Sequence, residues 1–315
     1  MVKANAWRIG AAALVLPCLM KAATAAEPSK EMTVRLAKAE ELTYNPLMRY
    51  RVDLMTAALA AEGFKATVIG CTEVDVKTAD QRLAMEVRDN EGCDAIATSA
   101  GGDNTKGLAV VPVPIYLGGG GIRVLLMTPA SLQRVPKPFD LPALRKMAIG
   151  SGSTWVDTRI MEFNGIHVEK SPVYAQLFVM LKIGRFDAMS RSIFEVDSEL
   201  KGEAAGGAIV LEPSTVIQYG QFGTDLFFYV SPANKVLRER LTRGLQRMYC
   251  SGQLHQLLKT HSSTRDMWEL VRPDKRSIVT LKTPDLVPAA EAKALSIYGG
   301  EWKAAGPNKK VCAAT

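Results

Sequence analysis

The chain has 315 residues, of which 47% are hydrophobic and 23% are charged, and its formal net charge is +7. This composition can bury a sizeable core and predicts either two domains of ordinary size or one large domain. Basic residues are spread along the chain without a block of about five or six, which argues against nucleic acid as a partner.

The first 25 residues carry the pattern of a secretory signal peptide. Lys3 and Arg8 precede an apolar run from Ile9 to Met20, and small residues follow at 23–25. The run is shorter than the roughly 20 apolar residues that span a bilayer, although a retained membrane anchor is the alternative interpretation. We therefore expect cleavage near Ala26, a periplasmic protein and a mature net charge of about +4.

Four cysteines lie outside this segment, namely Cys71, Cys93, Cys250 and Cys312. An even number of cysteines in an exported protein predicts disulfides, and four of them permit three pairings. Among these we favour Cys250 with Cys312, which would attach the C-terminal tail to the body. The sequence has three histidines and neither a C-x-x-C nor an H-E-x-x-H motif, so no metal and no cofactor are expected.

The first third of the chain alternates between strands and helices. Strands are predicted at residues 33–37, 65–70 and 93–98, with helices at 46–62 and 79–88. The first helix has a start signal at Asn45-Pro46, and its apolar residues then recur at steps of four, three and four. Alternation of this kind predicts an α/β fold with a mainly parallel sheet.

The same layout starts again after an extended, proline-containing connector at 110–117. Gly118 to Gly121 follow and are interpreted as a flexible crossover rather than a phosphate cradle, because no Gly-Lys-Ser/Thr comes after them. Further strands are predicted at 122–127, 147–150, 186–190, 208–211 and 226–230, with helices near 155–163, from 171 and from 231. The repeat predicts two α/β lobes joined by extended segments.

The domain boundaries follow from this repeat. Lobe 1 is discontinuous and comprises residues 26–122 and 226–265, while lobe 2 comprises 123–225. Residues 266–315 are rich in Pro, Ala and Lys, and we expect them to form a tail wrapped over the surface.

Four segments in order carry a family resemblance: Cys93-Asp94-Ala95-Ile96, Pro114-Ile115-Tyr116, Gly152-Ser153-Thr154 and Gly184-Arg185-Phe186-Asp187-Ala188. Together they resemble the type 2 periplasmic solute-binding proteins, in particular the amino-acid-binding family 3 of ABC transport systems, over about Met32 to His261. The resemblance implies a monomer with a two-segment hinge, whose lobes close on a small-molecule ligand. It also implies a membrane permease as partner. Loops at the carboxyl ends of parallel strands would form the crevice.

The candidate ligand-binding residues are Tyr44, Tyr50, Ser99, Lys106, Ser153, Thr154, Arg191 and Ser192. Ser153 and Thr154 precede a predicted helix, whose N–H groups can hold a carboxylate, although they could equally be an ordinary cap. Lys106 falls where the family has an arginine that grips a carboxylate, but lysine lacks the planar fork and could be a solvated loop residue. Either tyrosine could instead be a core residue.

Arg191 and Ser192 fall where amino-acid binders of the family often carry an aspartate that pairs with the ligand's ammonium group. A cation there would repel an ammonium and favour an anion, such as a small carboxylate. The alternative is an ion pair between Arg191 and Glu195, one helical turn apart.

A receptor is the first functional hypothesis, because no nucleophile and base stand out and Ser151 to Thr154 lack the G-x-S-x-G context. A periplasmic enzyme of the dehydratase kind, using Asp103 or Glu195 in the cleft, is the first alternative. The second is a sensor or accessory protein that docks a membrane partner.

Overall fold

The computed structural model describes residues 1, 30–37, 46–72, 80–136, 139–202, 206–220, 224–272, 275–285 and 287–313. The predicted signal peptide and Tyr44 lie outside these residues. The strands are β1 (Lys30–Arg35), β2 (Phe64–Ile69), β3 (Ala95–Ser99), β4 (Ala109–Val110), β5 (Ile122–Met127), β6 (Ala148–Gly152), β7 (His167–Ser171), β8 (Ala188–Ser192), β9 (Val210–Leu211), β10 (Thr215–Tyr219), β11 (Leu226–Val230) and β12 (Ser277–Leu281).

The helices alternate with these strands over most of the described chain. They are α1 (Pro46–Ala60), α2 (Asp80–Asp89), α3 (Pro129–Gln133), α4 (Leu141–Leu144), α5 (Val156–Phe163), α6 (Tyr174–Lys182), α7 (Val196–Gly202), α8 (Lys235–Ser251), α9 (Gln253–Thr260), α10 (Met267–Val271), α11 (Ala289–Tyr298) and α12 (Lys309–Cys312). In the part of the chain that the structure describes, no helix is long and apolar enough to cross a membrane.

The strands fall into two groups, which confirms the predicted two-lobed α/β class. In the first group β1 pairs with β2 in parallel, and β3, β11 and β4 form a second sheet joined to β1 by a bridge between Leu36 and Ala95. The other group is a seven-stranded sheet in the order β12-β10-β5-β8-β6-β7, with β9 also on β5. Where exactly each lobe begins and ends remains a prediction.

The expectation of a mainly parallel sheet is wrong, because both groups are mixed. The difference comes from β5 and β11, which lie where the chain passes between the groups. Strand β5 is antiparallel to β8, β9 and β10, and β11 is antiparallel to β3 and β4. Parallel pairing is kept where a helix returns the chain, as from β6 through α5 to β7.

Burial explains which elements form the core. Every residue of β5 is buried, including Arg123, so this strand is covered on both faces. Helices α1 and α8 pack closely because Gly244 has no side chain, and a Cβ there would lie 2.0 Å from the Ala58 carbonyl oxygen. This packing anchors α1 against the first group of strands.

The C-terminal residues form a strand and helices instead of the expected tail wrapped over the surface. Strand β12 pairs in parallel with β10 and so extends the seven-stranded sheet. The chain then returns through α11 to the connector, where the backbone N–H group of Trp302 donates to the Leu117 carbonyl at 3.1 Å. The favoured disulfide is confirmed: Cys250 on α8 is bonded to Cys312, with their Cα atoms 5.5 Å apart. Cys71 and Cys93 form a second disulfide.

Candidate functional site

A cavity of about 600 Å³ opens between the two groups of strands. One side is lined by Ser99 at the end of β3 and by Asp103 and Asn104 in the loop that follows. The opposite side comes from the seven-stranded sheet and its helices, with Thr154, Trp155, Asp157, Tyr174, Arg191, Ser192, Phe194, Glu195 and Glu199. Strands β6 and β8 are parallel neighbours, so their carboxyl ends bring the segments after Gly152 and after Ser192 together at one edge.

Arg191 faces this cavity, but its charge is already paired. Its Nε donates to Glu199 Oε1 at 2.7 Å, and its Nη2 lies 2.9 Å from Glu195 Oε2. The Tyr174 hydroxyl donates to the same Glu199 oxygen at 2.7 Å. Burial alone would lower the pKa of Arg191, yet Glu195 and Glu199 raise it well above its usual value. The guanidinium group is therefore a fixed, neutralised part of the wall.

Two aromatic rings hold the same guanidinium group. Its central carbon lies 4.8 Å from the centre of the Trp155 ring and 5.4 Å from that of Tyr174. Contacts of this kind stabilise a cation through the negative face of the ring. Arg191 thus joins β8 to the start of α5, to α6 and to α7.

A second buried arginine lies deeper in the site. Arg123 of β5 donates from Nη2 to Asp157 Oδ2 at 3.1 Å, and its Nη1 lies 3.9 Å from Glu195 Oε2. The Tyr219 hydroxyl also donates to Asp157, at 3.2 Å. The sequence does not connect Arg123 with Asp157, because the two residues lie 34 positions apart in the chain.

Glu195 stands between the two arginines. A quarter of its side chain is exposed, whereas the side chains of Arg123 and Arg191 are 7% and 8% exposed. Burial raises the pKa of Glu195, but Arg191 and Arg123 outweigh that effect and hold the pKa below its usual value. Glu195 is therefore ionised at neutral pH.

The structure brings four of the eight predicted site residues to the cavity, namely Ser99, Thr154, Arg191 and Ser192. Lys106 and Ser153 are exposed outside its lining. Lys106 pairs with Asp103 at 2.9 Å, as a solvated loop lysine would. Helix α5 begins only at Val156 with Trp155 as its N-cap, so Ser153 lies too early to cap it.

Tyr50 is a core residue and does not line the cavity. Its hydroxyl donates to the Ile115 carbonyl at 3.2 Å, and its ring stacks on Tyr116 with centroids 5.3 Å apart. Tyr116 in turn stacks on Phe194 at 4.6 Å. Tyr50 therefore supports the cavity wall from behind.

The two segments that connect the lobes are tied together by one carboxylate. Asp225 is buried just before β11 and accepts backbone N–H groups from Gly118 at 2.6 Å, Leu226 at 2.6 Å and Tyr116 at 3.2 Å. A Cβ on Gly120 would lie 2.9 Å from Asp225 Oδ1. The glycine crossover expected to be flexible is instead a buried and tightly packed turn.

Asp225 predicts a pH dependence of stability. Burial raises its pKa to about 7, although the backbone N–H groups oppose the rise. The folded state then binds this proton more tightly than the unfolded state, so the stabilisation is complete below about pH 4 and is lost as the pH rises to about 7. We expect this group to lower the free energy of unfolding by up to about 1.4 kcal/mol per pH unit in that window. Urea unfolding of the wild type and of Asp225→Asn across this pH range measures the effect. Parallel plots of the free energy of unfolding against pH for the two proteins would refute the prediction.

Comparison with solved structures identifies the architecture. No family model and no curated protein matches the sequence. An ancestral arginine-binding protein bound to glutamine matches at 15% identity and a TM-score of 0.51, over 73% of this chain and 98% of that one. An amino acid ABC transporter substrate-binding protein from Streptococcus pneumoniae bound to L-arginine matches at 14% identity and a TM-score of 0.51, over 74% and 94%. The chain has the fold of the two-lobed solute-binding proteins.

The solute-binding-protein fold is shared by a structure with another role. A histidine kinase sensor domain with similarity to periplasmic binding proteins matches at 12% identity and a TM-score of 0.51, over 75% of this chain and 98% of that one. At such low identities the likeness establishes the fold and leaves the ligand to the chemistry of the cavity. In this solute-binding fold the described cavity lies where the two lobes face each other.

Proposed function

We propose that the protein is a periplasmic receptor that binds one small solute between its lobes and delivers it, as a monomer, to the membrane permease of an ABC-type importer. The observation that carries this proposal is the cavity of about 600 Å³ lined from both groups of strands. Its volume suits a small molecule, and its mixed aromatic and polar lining is typical of ligand sites.

The chemistry of the lining favours binding over catalysis. Asp157, Glu195 and Glu199 each contact an arginine, and a carboxylate engaged by a guanidinium group is poorly placed to donate a proton to a solute. The Ser151 hydroxyl accepts a hydrogen bond from Thr158 at 2.8 Å rather than contacting a base. The described lining of the cavity therefore offers no acid–base pair that would support the dehydratase-like alternative.

A sensor role is the second candidate, since a sensor domain shares the fold. Both roles require a ligand, and they differ in whether the bound form engages a transporter or a signalling partner. The expected anionic ligand loses its support, because the Arg191 charge that motivated it is paired with two carboxylates.

Trp155 offers a direct test of binding in the cavity. Trp155 lines the cavity, whereas Trp268 and Trp302 stack on each other and are absent from its lining. Titrating the mature protein with small amines, amino acids, acids and sugars should reveal a ligand that changes tryptophan fluorescence at one-to-one stoichiometry and raises the melting temperature. The Trp155→Phe variant should lose the fluorescence change. Chemical turnover of the ligand, or no saturable binder at all, would contradict the receptor proposal.

A further inference from the structure

We infer that the cavity selects a solute carrying a positively charged group, and that Glu195 is the residue that receives this group. The inference rests on the proposed binding function and specifies its ligand. It reverses the expectation of an anion that the sequence alone produced.

The positively charged residues of the lining are already paired with carboxylates. Arg123 and Arg191 are the two positively charged residues among the described lining residues, and both are almost fully buried. Each is held by carboxylates, Arg123 by Asp157 and Arg191 by Glu199, with Glu195 near both. An anionic solute would have to displace one of these carboxylates to reach a guanidinium group, and would leave that carboxylate buried without its partner.

The two charged lining residues whose side chains remain exposed are both negative. Asp103 and Glu195 have 59% and 25% of their side chains exposed, whereas the other four charged lining residues are at 10% or below. Lys106 already neutralises Asp103 at the rim. Glu195 Oε2 lies 2.9 Å from Arg191 Nη2 and 3.9 Å from Arg123 Nη1, and a quarter of the Glu195 side chain stays exposed. Glu195 is thus the charge that a solute meets inside the cavity.

The uncharged residues of the lining are also suited to binding a cationic solute. Trp155 and Tyr174 border the cavity, and Tyr174 is 44% exposed. The faces of aromatic rings attract cations, as their contact with Arg191 already shows. Hydroxyl and amide groups of Ser99 and Asn104 can bind the polar parts of a solute without requiring a particular charge.

Three probes of equal chain length and different charge test the inference on the mature protein. 1,5-Diaminopentane, 1,5-pentanediol and glutarate share a five-carbon chain and are cationic, neutral and anionic at neutral pH. Calorimetric titration should show the diamine binding about tenfold or more tightly than the other two, and its affinity should fall as salt is raised. Tighter binding of glutarate or of the diol would overturn the inference while leaving the receptor proposal intact. If neither these probes nor any of the other small amines, amino acids, acids and sugars bound saturably, both proposals would fall.

Variants at Glu195 identify the residue. Glu195→Gln should weaken diamine binding about tenfold or more, whereas Glu195→Asp, which keeps the charge, should retain the preference for the diamine over the diol. Asp197→Asn is the matched control, because Asp197 lies on the adjacent helix α7 and pairs with the exposed Lys201 at 2.7 Å. Its affinity should equal that of the wild type. Unchanged affinity in a folded Glu195→Gln protein, or loss of the preference in Glu195→Asp, would refute the role of Glu195.

Discussion

Replacing Arg191 by methionine should lower the free energy of unfolding by about 3–5 kcal/mol. Arg191 is buried between Glu195 and Glu199, and methionine would fill a similar volume without neutralising either carboxylate. The second oxygen of Glu199 is buried and has no hydrogen-bond partner, so the remaining charge could not be solvated without local rearrangement. Urea unfolding of the wild type and the variant at pH 7 measures the loss.

Two further variants separate this effect from a general loss of charge. Lys201→Met also removes a cation that pairs with a carboxylate, but the Lys201 side chain is 65% exposed, so the loss should stay below about 1 kcal/mol. The double variant Arg191→Met/Glu199→Gln should recover part of the stability, because one unpaired charge is removed. Equal small losses for Arg191→Met and Lys201→Met would contradict the described cluster.

Replacing both Cys250 and Cys312 by serine should lower the free energy of unfolding by about 4 kcal/mol relative to the oxidised wild type. The bond closes a loop with a sequence separation of 62 residues, so its loss greatly increases the freedom of the unfolded chain. This loop contains β12 and the return to the connector. Urea unfolding should report the change, and limited proteolysis should show earlier cleavage after residue 299.

The second disulfide provides the matched comparison. Cys71 and Cys93 are separated by 22 residues, so replacing both by serine should cost about 3 kcal/mol and leave the C-terminal segment as protease-resistant as in the wild type. Equal protease sensitivity of the C-terminal segment in the two double variants would show that the Cys250–Cys312 bond does not hold it.

The elements that the sequence predicted best are those with strong local signals. The strands at 122–127 and 226–230 have the predicted limits, because segments dominated by large apolar residues are bounded by glycine or by polar residues. Helix α1 begins at the predicted Pro46, because proline is favoured at the first position of a helix. Strand β12 was not predicted, because it has five residues in a segment rich in Pro, Lys and Ala, and the sheet that stabilises it is formed elsewhere in the chain.

The site was harder to predict because its contacts are not local. Arg191 was placed in the cleft, but its pairing with Glu199 depends on the chain turning after β8 before α7 begins. The contact between Arg123 and Asp157 joins β5 to α5 and has no sequence signature. A free Arg191 and a paired Arg191 predict opposite ligand charges, so the sequence could place the residue without determining the charge of the ligand.

A crystal structure of the protein with bound 1,5-diaminopentane tests the central claim most directly. We expect the diamine between the lobes, with one ammonium nitrogen about 3 Å from the Glu195 carboxylate and with Arg191 still paired to Glu199. A diamine bound outside the cavity, or an ammonium group placed away from Glu195, would contradict the account.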